Sequence, residues 1–188
     1  FGFHSELRLH TDIAANLGFE LVGFAKAESL TSEINNLKKW LDKNFHADMA
    51  YMQKNIEKRE DPSKILAEVK SVISLGLNYQ TPFQHSDTNS EGKVSRYAWG
   101  KDYHLVIWDK LKILESHLHS IESEFKSLSY VDTGPVMDKA WAVRAGLGWL
   151  GKHTNVINRN IGSWFFIATI FTNQEFDYSE QIPDFCGS

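Results

Sequence analysis

Residues 145–155 read Ala-Gly-Leu-Gly-Trp-Leu-Gly-Lys-His-Thr-Asn and match two nucleotide-binding patterns at once. Gly146, Gly148 and Gly151 give the G-x-G-x-x-G of dinucleotide-binding folds, and Gly146 with Gly151-Lys152 begins a phosphate loop. Both patterns need a strand before the glycines and a helix after them, because the amino end of that helix holds the phosphate. The flanks of this stretch therefore decide which fold the sequence predicts.

The flanks predict the opposite order of elements. Residues 137–144 are typical of a helix, whereas Val156-Ile157 and the turn residues that follow predict a strand and a turn. A phosphate loop also needs Ser or Thr after its lysine, and His153 stands there. Two interpretations stay open: a glycine-rich connection from a helix to a hairpin, or a backbone that approaches a large polar cofactor beside the polar residues 152–155.

Apolar periodicity predicts alternating helices and strands along the rest of the chain. Helical spacing covers residues 7–17, 29–45 and 103–126, and Pro135 is expected in the first turn of a helix that ends at Arg144. Strand patterns cover residues 19–24, 72–77, 128–131 and 164–171. We expect one domain of the α/β (or α+β) class, with a central sheet flanked by helices.

Length and composition restrict the function classes. The chain has 188 residues, 42% of them hydrophobic and 23% charged, which is typical of a globular domain with a sizeable core. A net charge of -4 argues against a generally basic coat for nucleic acid and leaves room for a local positive patch. We find no membrane-spanning run and no signal peptide, and since the chain begins at Phe1 we expect the native start upstream. A single cysteine, Cys186, excludes an internal disulfide and favours the cytoplasm.

Two further places carry candidate chemistry. Residues 96–104, Arg-Tyr-Ala-Trp-Gly-Lys-Asp-Tyr-His, are either a loop that enters the long helix with Asp102 as its N-cap, or a wall of a binding pocket. Asp132 follows a predicted strand and precedes Thr-Gly-Pro, and ligands gather at strand ends in α/β sheets. Its carboxyl is either a general acid whose pKa is raised by shielding or an ordinary turn residue.

Five segments, taken in order, resemble the epoxyqueuosine reductase family over most of the chain. They are residues 51–62, 71–79, 96–104, 130–136 and 145–155, and the pair Val-Asp-Thr-Gly-Pro and Gly-Lys-His-Thr-Asn is the most specific part. The resemblance implies a cobalamin-binding catalytic domain over residues 1–180, similar to those of reductive dehalogenases. It also implies that residues 181–188 begin a ferredoxin-like domain, in which Cys186 opens the run of ligands for 4Fe-4S clusters.

The resemblance further implies the reaction and its site. The enzyme would reduce the epoxide of epoxyqueuosine, at the wobble position of a tRNA anticodon, to queuosine, using cobalamin and electrons from the clusters. Asp132 would donate the proton to the departing oxygen. The corrin would contact Arg59, Tyr97, Tyr103, Gly151, Lys152, His153, Thr154 and Asn155. Where the family carries Arg before Asp-Tyr-His this chain has Lys101, so we assign Lys101 no role.

The expected partners are tRNA that contains epoxyqueuosine and an electron donor, for a monomeric cytoplasmic protein that makes no membrane contact. Three alternative functions stay open. In these alternatives the chain is a nucleotide-binding transferase that uses residues 146–152, a non-catalytic cobalamin-binding protein, or another cobalamin-dependent reductase similar to the dehalogenases.

Overall fold

The computed structural model describes residues 11–187, so the part of the predicted 7–17 helix before residue 11 lies outside the described residues. Residues 11–16 are helical. The main sheet has the strand order β1-β2-β6-β3 with every neighbouring pair antiparallel, and a small hairpin pairs β4 with β5. The strands are β1 (Leu21–Lys26), β2 (Ser71–Asn78), β3 (Ser127–Tyr130), β4 (Trp149–Leu150), β5 (Val156–Ile157) and β6 (Phe165–Thr172).

Besides the helical residues 11–16, the described part of the chain has the α-helices α1 (Thr31–Asp42), α2 (Ile56–Glu60), α3 (Tyr103–Ile121) and α4 (Asp138–Arg144). Short 3-10 turns cover Ala50–Gln53, Pro62–Lys64 and Arg96–Ala98. Within residues 11–187, no helix is long and apolar enough to cross a membrane. The mixed architecture confirms the predicted fold class, and the antiparallel pairing makes α+β the fitting description.

The sheet lies between two helical layers, because successive strand residues point to opposite faces. On one face, α3 places Ile107, Leu111, Leu114 and Leu118 in a cluster with Phe24, Ile73 and Ile170. On the other face, α1 and α4 place Ile34, Leu37, Trp141 and Ala142 in a cluster with Ala25, Val72 and Phe171. Because both faces are covered, β2 and β6 are buried along most of their length, instead of alternating between buried and exposed residues.

Two expected element bounds and one expectation about Asp132 need correction. Helix α3 ends at Ile121 and not at Lys126, because the chain must turn back for Lys126 to donate its amide to Asn173 Oδ1 and start β3. Helix α4 begins at Asp138, so Pro135 lies in the loop before it and not in its first turn. Asp132 does follow a strand, but the rule that we applied to it concerns parallel sheets, and this sheet is antiparallel.

The segment after β6 returns to the edge strand β1. Phe24 N donates to Ser179 Oγ at 2.9 Å, and Ser179 N donates to Phe24 O at 2.9 Å. Phe176 packs on the Phe24 ring with the centroids 4.9 Å apart. This segment therefore occupies backbone groups of β1 that face away from β2.

Candidate active site

A cavity of about 710 Å³ opens beside the start of α4. Its walls come from the loop between β3 and α4, from α2 with the turn before it, from the first residue of α3 and from the first residues of β6. Three residues singled out in the sequence line it together: Arg59, Tyr103 and Asp132. The volume lies within the usual range of small-molecule sites.

Asp132 projects from a tight turn. Thr133 N donates to Val131 O at 2.6 Å, which closes a three-residue turn round Asp132, and the φ of Asp132 is +58°. Asp and Asn are the side-chain-bearing residues that tolerate this left-handed backbone best. The carboxyl is exposed at the cavity, so the turn presents it to a ligand.

Tyr103 donates its hydroxyl hydrogen to Asp132 Oδ2. The ring lies between Phe166, at 4.1 Å with an interplanar angle of 5°, and His104, at 4.0 Å. Burial, and then the neighbouring Asp132, raise the pKa of the Tyr103 hydroxyl, so it keeps its proton and stays a donor. The Tyr103 hydroxyl therefore holds the Asp132 carboxyl group in one orientation.

The N-cap of α3 fixes the position of Tyr103. Asp102 Oδ1 accepts from His104 N at 2.9 Å and lies 2.8 Å from His104 Nδ1. These contacts with His104 lower the pKa of Asp102. The prediction of Asp102 as the N-cap is confirmed, and both interpretations of residues 96–104 hold in part, because the capped helix start is also a cavity wall.

Asp138 is a second carboxyl in the cavity, and the sequence analysis missed it. Its Oδ1 accepts from Thr169 Oγ1 on β6 at 2.7 Å. Burial, together with the negative charge of Asp132, raises the pKa of Asp138 to about 6, although the Thr169 hydrogen bond and Arg59 act in the opposite direction. In the sequence, Asp138 resembles the acidic residues that commonly stabilise the first turn of a helix through the helix dipole. The sequence signal that could have identified Asp138 as a site residue is its position six residues after Asp132.

Arg59, near the end of α2, brings an unused donor to the cavity. Its Nε is buried and has no hydrogen-bond partner, and desolvation lowers the pKa of the guanidinium. Lys54 and Lys139 also line the cavity. Buried donors are normally satisfied, so this wall suits a ligand that carries oxygen acceptors.

The turn that holds Lys152, His153, Thr154 and Asn155 is exposed and does not line the cavity itself. It is joined to the rim through Lys139, whose Nζ donates to Thr154 O at 2.9 Å and to Asn155 Oδ1 at 3.0 Å. The ring nitrogen Nε2 of His153 lies 3.4 Å from Ser163 Oγ. The turn therefore contacts a residue that lines the cavity, Lys139, but does not line the cavity itself.

The three glycines of residues 145–155 have a packing explanation. A Cβ at Gly146 would lie 2.4 Å from Glu180 O, and one at Gly148 would lie 2.1 Å from Ile157 O. At Gly151 a Cβ would lie within 2.6 Å of the His153 ring and of Ile157. The chain itself occupies the position of a Cβ at each of these glycines, which explains why no larger residue stands there. With α4 before them and the β4–β5 hairpin after them, they also lack the strand–loop–helix context of a phosphate loop. The contact of Gly151 with a corrin stays a prediction.

Tyr97 lines a second, smaller pocket of about 390 Å³, whereas Tyr103 lines the main cavity. Tyr79, His85, Ser95, Arg96 and Trp164 complete its lining. The Arg96 guanidinium lies 4.8 Å from the Trp164 ring centroid, and the Trp164 ring stacks on Tyr79. The main cavity therefore does not bring Tyr97 together with the other predicted contacts.

Cys186 is half-buried against the hairpin, where Trp149 Nε1 donates to its Sγ at 3.3 Å. Residues 11–187 contain no group of three or more His, Cys, Asp or Glu side chains arranged to hold a metal ion. The role of Cys186 as a ligand of a 4Fe-4S cluster stays a prediction.

Comparison with known proteins identifies relatives along nearly the whole chain. Residues 59–133 match the family described as Epoxyqueuosine reductase QueG, DUF1730. The chain is 46% identical over 175 residues to an epoxyqueuosine reductase of Leadbetterella byssophila, covering 93% of this chain and 57% of the relative. It is 41% identical over 183 residues to one of Cellulophaga algicola, covering 95% and 59%. The chain thus spans between half and three fifths of the length of these relatives.

Solved structures show the same likeness. An epoxyqueuosine reductase crystallised with an epoxyqueuosine-modified stem loop of tyrosine tRNA superposes with a TM-score of 0.91 at 30% identity, covering 98% of this chain and 50% of that one. One from Bacillus subtilis, with its catalytic aspartate loop swung out of the active site, gives 0.87 at 30% identity over 98% and 50%. A reductive dehalogenase whose structure suggests a mechanism for B12-dependent dehalogenation gives 0.59 at 11% identity over 93% and 20%, a likeness of fold alone.

Proposed function

We propose that the chain belongs to the epoxyqueuosine reductase family and that it carries the catalytic cavity of such an enzyme. The substrate is tRNA that contains epoxyqueuosine, and the reaction converts the epoxide to the alkene of queuosine. The observation that carries this proposal is the Tyr103–Asp132 pair. The Tyr103 hydroxyl donates to the carboxyl of Asp132, which the left-handed turn presents to the cavity. A catalytic aspartate loop in the Bacillus subtilis relative supports the role of Asp132.

The cavity suits a corrin cofactor at its cationic wall. Arg59 offers a buried, unpartnered N–H, and Lys54 and Lys139 add two positive charges. Cobalamin carries amide and phosphate oxygens that accept such donors. We propose that Arg59 and Lys139 hold the periphery of the corrin, with the turn of residues 152–155 supporting Lys139. When bound, cobalamin supplies the reducing electrons, and the fold shared with a B12-dependent dehalogenase is consistent with this.

The protein side of the reaction is proton delivery and orientation. As the first carbon–oxygen bond of the epoxide breaks, negative charge develops on the oxygen, and Asp132 donates a proton to it. Tyr103 keeps the carboxyl aimed at that oxygen. The apolar side chains of Phe165, Phe166 and Ile167 line the same cavity and restrict water around the reacting atoms.

Cys186 as a cluster ligand, the 4Fe-4S clusters, a second domain from residue 181, the cytoplasmic location and the monomeric state remain predictions from the family resemblance. The contact of Tyr97 with cobalamin also remains a prediction, and the second pocket gives its ring a separate place.

The test uses the full-length protein reconstituted with cobalamin, a low-potential reductant and tRNA that contains epoxyqueuosine. Mass spectrometry of the digested nucleosides should detect queuosine with the wild type. Asp132→Asn fits the same left-handed turn and should bind corrin, seen by visible absorption, while losing conversion by at least about 10²-fold. Corrin binding without conversion by the wild type would instead identify a cobalamin carrier, and conversion by the variant at the wild-type rate would refute the role of Asp132.

A further inference from the structure

The stoichiometry of the proposed reaction leaves one proton without a source. Reduction of an epoxide to an alkene takes two electrons and two protons: both carbon–oxygen bonds break, a carbon–carbon double bond forms, and the oxygen leaves as water. Two equivalents of a low-potential one-electron donor would supply the electrons, by way of the bound cofactor. Asp132 holds one proton, so the cavity must also provide a path for the second.

We propose that Asp138 is the second proton-holding carboxyl of this cavity and that it reprotonates Asp132 within one turnover. This rests on the proposed function. Asp132 first protonates the oxygen as one carbon–oxygen bond breaks, which leaves a hydroxyl group and the Asp132 carboxylate. Asp138 then passes its proton to Asp132. The second carbon–oxygen bond breaks as the double bond forms, the departing hydroxide takes this proton to become water, and solvent reprotonates Asp138.

Geometry singles out Asp138 for this role. Asp132 and Asp138 bracket the loop that forms one wall, and both line the cavity. They are the only carboxyl groups among its lining residues in the part of the chain that the structure describes. Thr169 Oγ1 holds Asp138 Oδ1 at 2.7 Å from the central strand β6, so this carboxyl has a fixed position.

The other titratable groups of the cavity are poor sources of the second proton. They are Tyr51, Lys54, Arg59, Tyr103 and Lys139. Arginine does not give up a proton under ordinary conditions, and the pKa of Tyr103 is raised further above its usual range. As residue types, tyrosine and lysine are much weaker acids than a carboxylic acid.

The electrostatics of Asp138 agree with a proton reservoir. Burial and the charge of Asp132 raise its pKa to about 6, near the range in which a general acid works best. The Thr169 hydrogen bond lowers the pKa of the same group, so removing that bond should raise it. A variant at Thr169 therefore tunes Asp138 without altering any group that faces the substrate.

The first experiment measures the pH profile of steady-state turnover, with tRNA in excess over the full-length, cobalamin-loaded protein. For the wild type, kcat should fall as pH rises through the pKa of Asp138, because the protonated form is required. Asp138→Asn should lower kcat by about 10²-fold and remove this alkaline decline, with KM for tRNA unchanged. Thr169→Val should move the decline to higher pH, and Thr169→Ser, which keeps a hydroxyl, should leave it near the wild-type position.

The second experiment needs neither cofactor nor turnover. Infrared difference spectra of the cofactor-free full-length protein, recorded between pH 4 and pH 8, should show a protonated carboxyl band that Asp138→Asn removes and Thr169→Val extends to higher pH. An unchanged band in Asp138→Asn, or a wild-type pH profile in that variant, would overturn the inference while the proposed function stands. A loss of kcat in Asp138→Asn with no shift in Thr169→Val would reduce Asp138 to a structural role. A wild type that binds cobalamin and never converts the substrate would overturn the proposed function itself.

Discussion

Tyr103 and Asp132 lie 29 positions apart in the chain and meet through one hydrogen bond at the mouth of the cavity. The first residue of a capped helix thereby controls the side chain on the tight turn after β3. Because the Tyr103 ring is stacked between Phe166 and His104, it has little freedom to follow a moving loop. The pair therefore sets the resting orientation of the proposed proton donor.

Tyr103→Phe removes this hydrogen bond and keeps the ring stack. We expect kcat to fall about tenfold or more, since a loosely held donor spends less time in the productive geometry. Folding stability should change by no more than about 1 kcal/mol, the usual net worth of such a bond. Single-turnover conversion and urea unfolding measure the two effects.

A matched control for this variant is Tyr178→Phe, which removes a hydroxyl whose contact is Lys70 O at 3.4 Å, away from the cavity. It should leave conversion unchanged. Equal rates for Tyr103→Phe and the wild type would show that Asp132 needs no support from Tyr103.

Arg59→Met should separate cofactor affinity from stability. The side chain keeps its length and loses the unpartnered buried Nε, so the free energy of unfolding should stay level or rise slightly. Affinity for cobalamin should fall about tenfold or more, measured by absorption titration. Lys58→Met, at an exposed neighbour on α2, serves as the control and should bind cobalamin normally. Undiminished affinity in Arg59→Met would remove Arg59 from the proposed corrin wall.

The raised pKa of Asp138 predicts a pH dependence of stability with a defined sign. Below pH 3.8 the carboxyl is protonated in both states, and between pH 3.8 and about 6 the unfolded chain ionises first. The stability of the wild type relative to Asp138→Asn should therefore fall as pH rises through this window, by at most about 3 kcal/mol. Urea unfolding of both proteins at several pH values measures it, and parallel curves would contradict the shift.

Gly148→Ala should destabilise the protein by about 1–3 kcal/mol, because the new methyl group would meet the Ile157 carbonyl oxygen at 2.1 Å. Gly92→Ala is the control, since nothing lies within 4 Å of a Cβ there. It should be neutral or slightly stabilising. Urea midpoints decide, and equal midpoints for the two variants would show that the hairpin yields easily at Gly148.

The local sequence pattern was sufficient to predict the layers of the fold and the position of Asp132 in the site. The apolar spacing of α3 and the mainly apolar composition of β6 are visible within each segment, and both reflect burial. Asp132 was recognisable because its strand and its turn are adjacent in sequence. Such features depend on neighbours a few residues away.

Asp138 could not be identified in this way, because its environment comes from Thr169, 31 residues later. The glycines misled for a similar reason: the close approach at Gly146 involves Glu180, which no local pattern connects to it. Tyr97 and Tyr103 are six residues apart and still face different pockets, because Arg96–Ala98 is a separate turn before the cap of α3. The sequence was sufficient to identify residues with suitable chemistry, but not to predict which distant residues contact one another.

The contact of Ser179 with Phe24 has a consequence for the behaviour of the protein in crowded solution. Strand β1 is at the margin of the sheet, where open N–H and C=O groups would otherwise recruit a strand from another molecule. By taking both the amide and the carbonyl of Phe24, the returning segment acts as a cover against self-association. Protection of this sheet edge thus comes from a segment that lies outside the described strands.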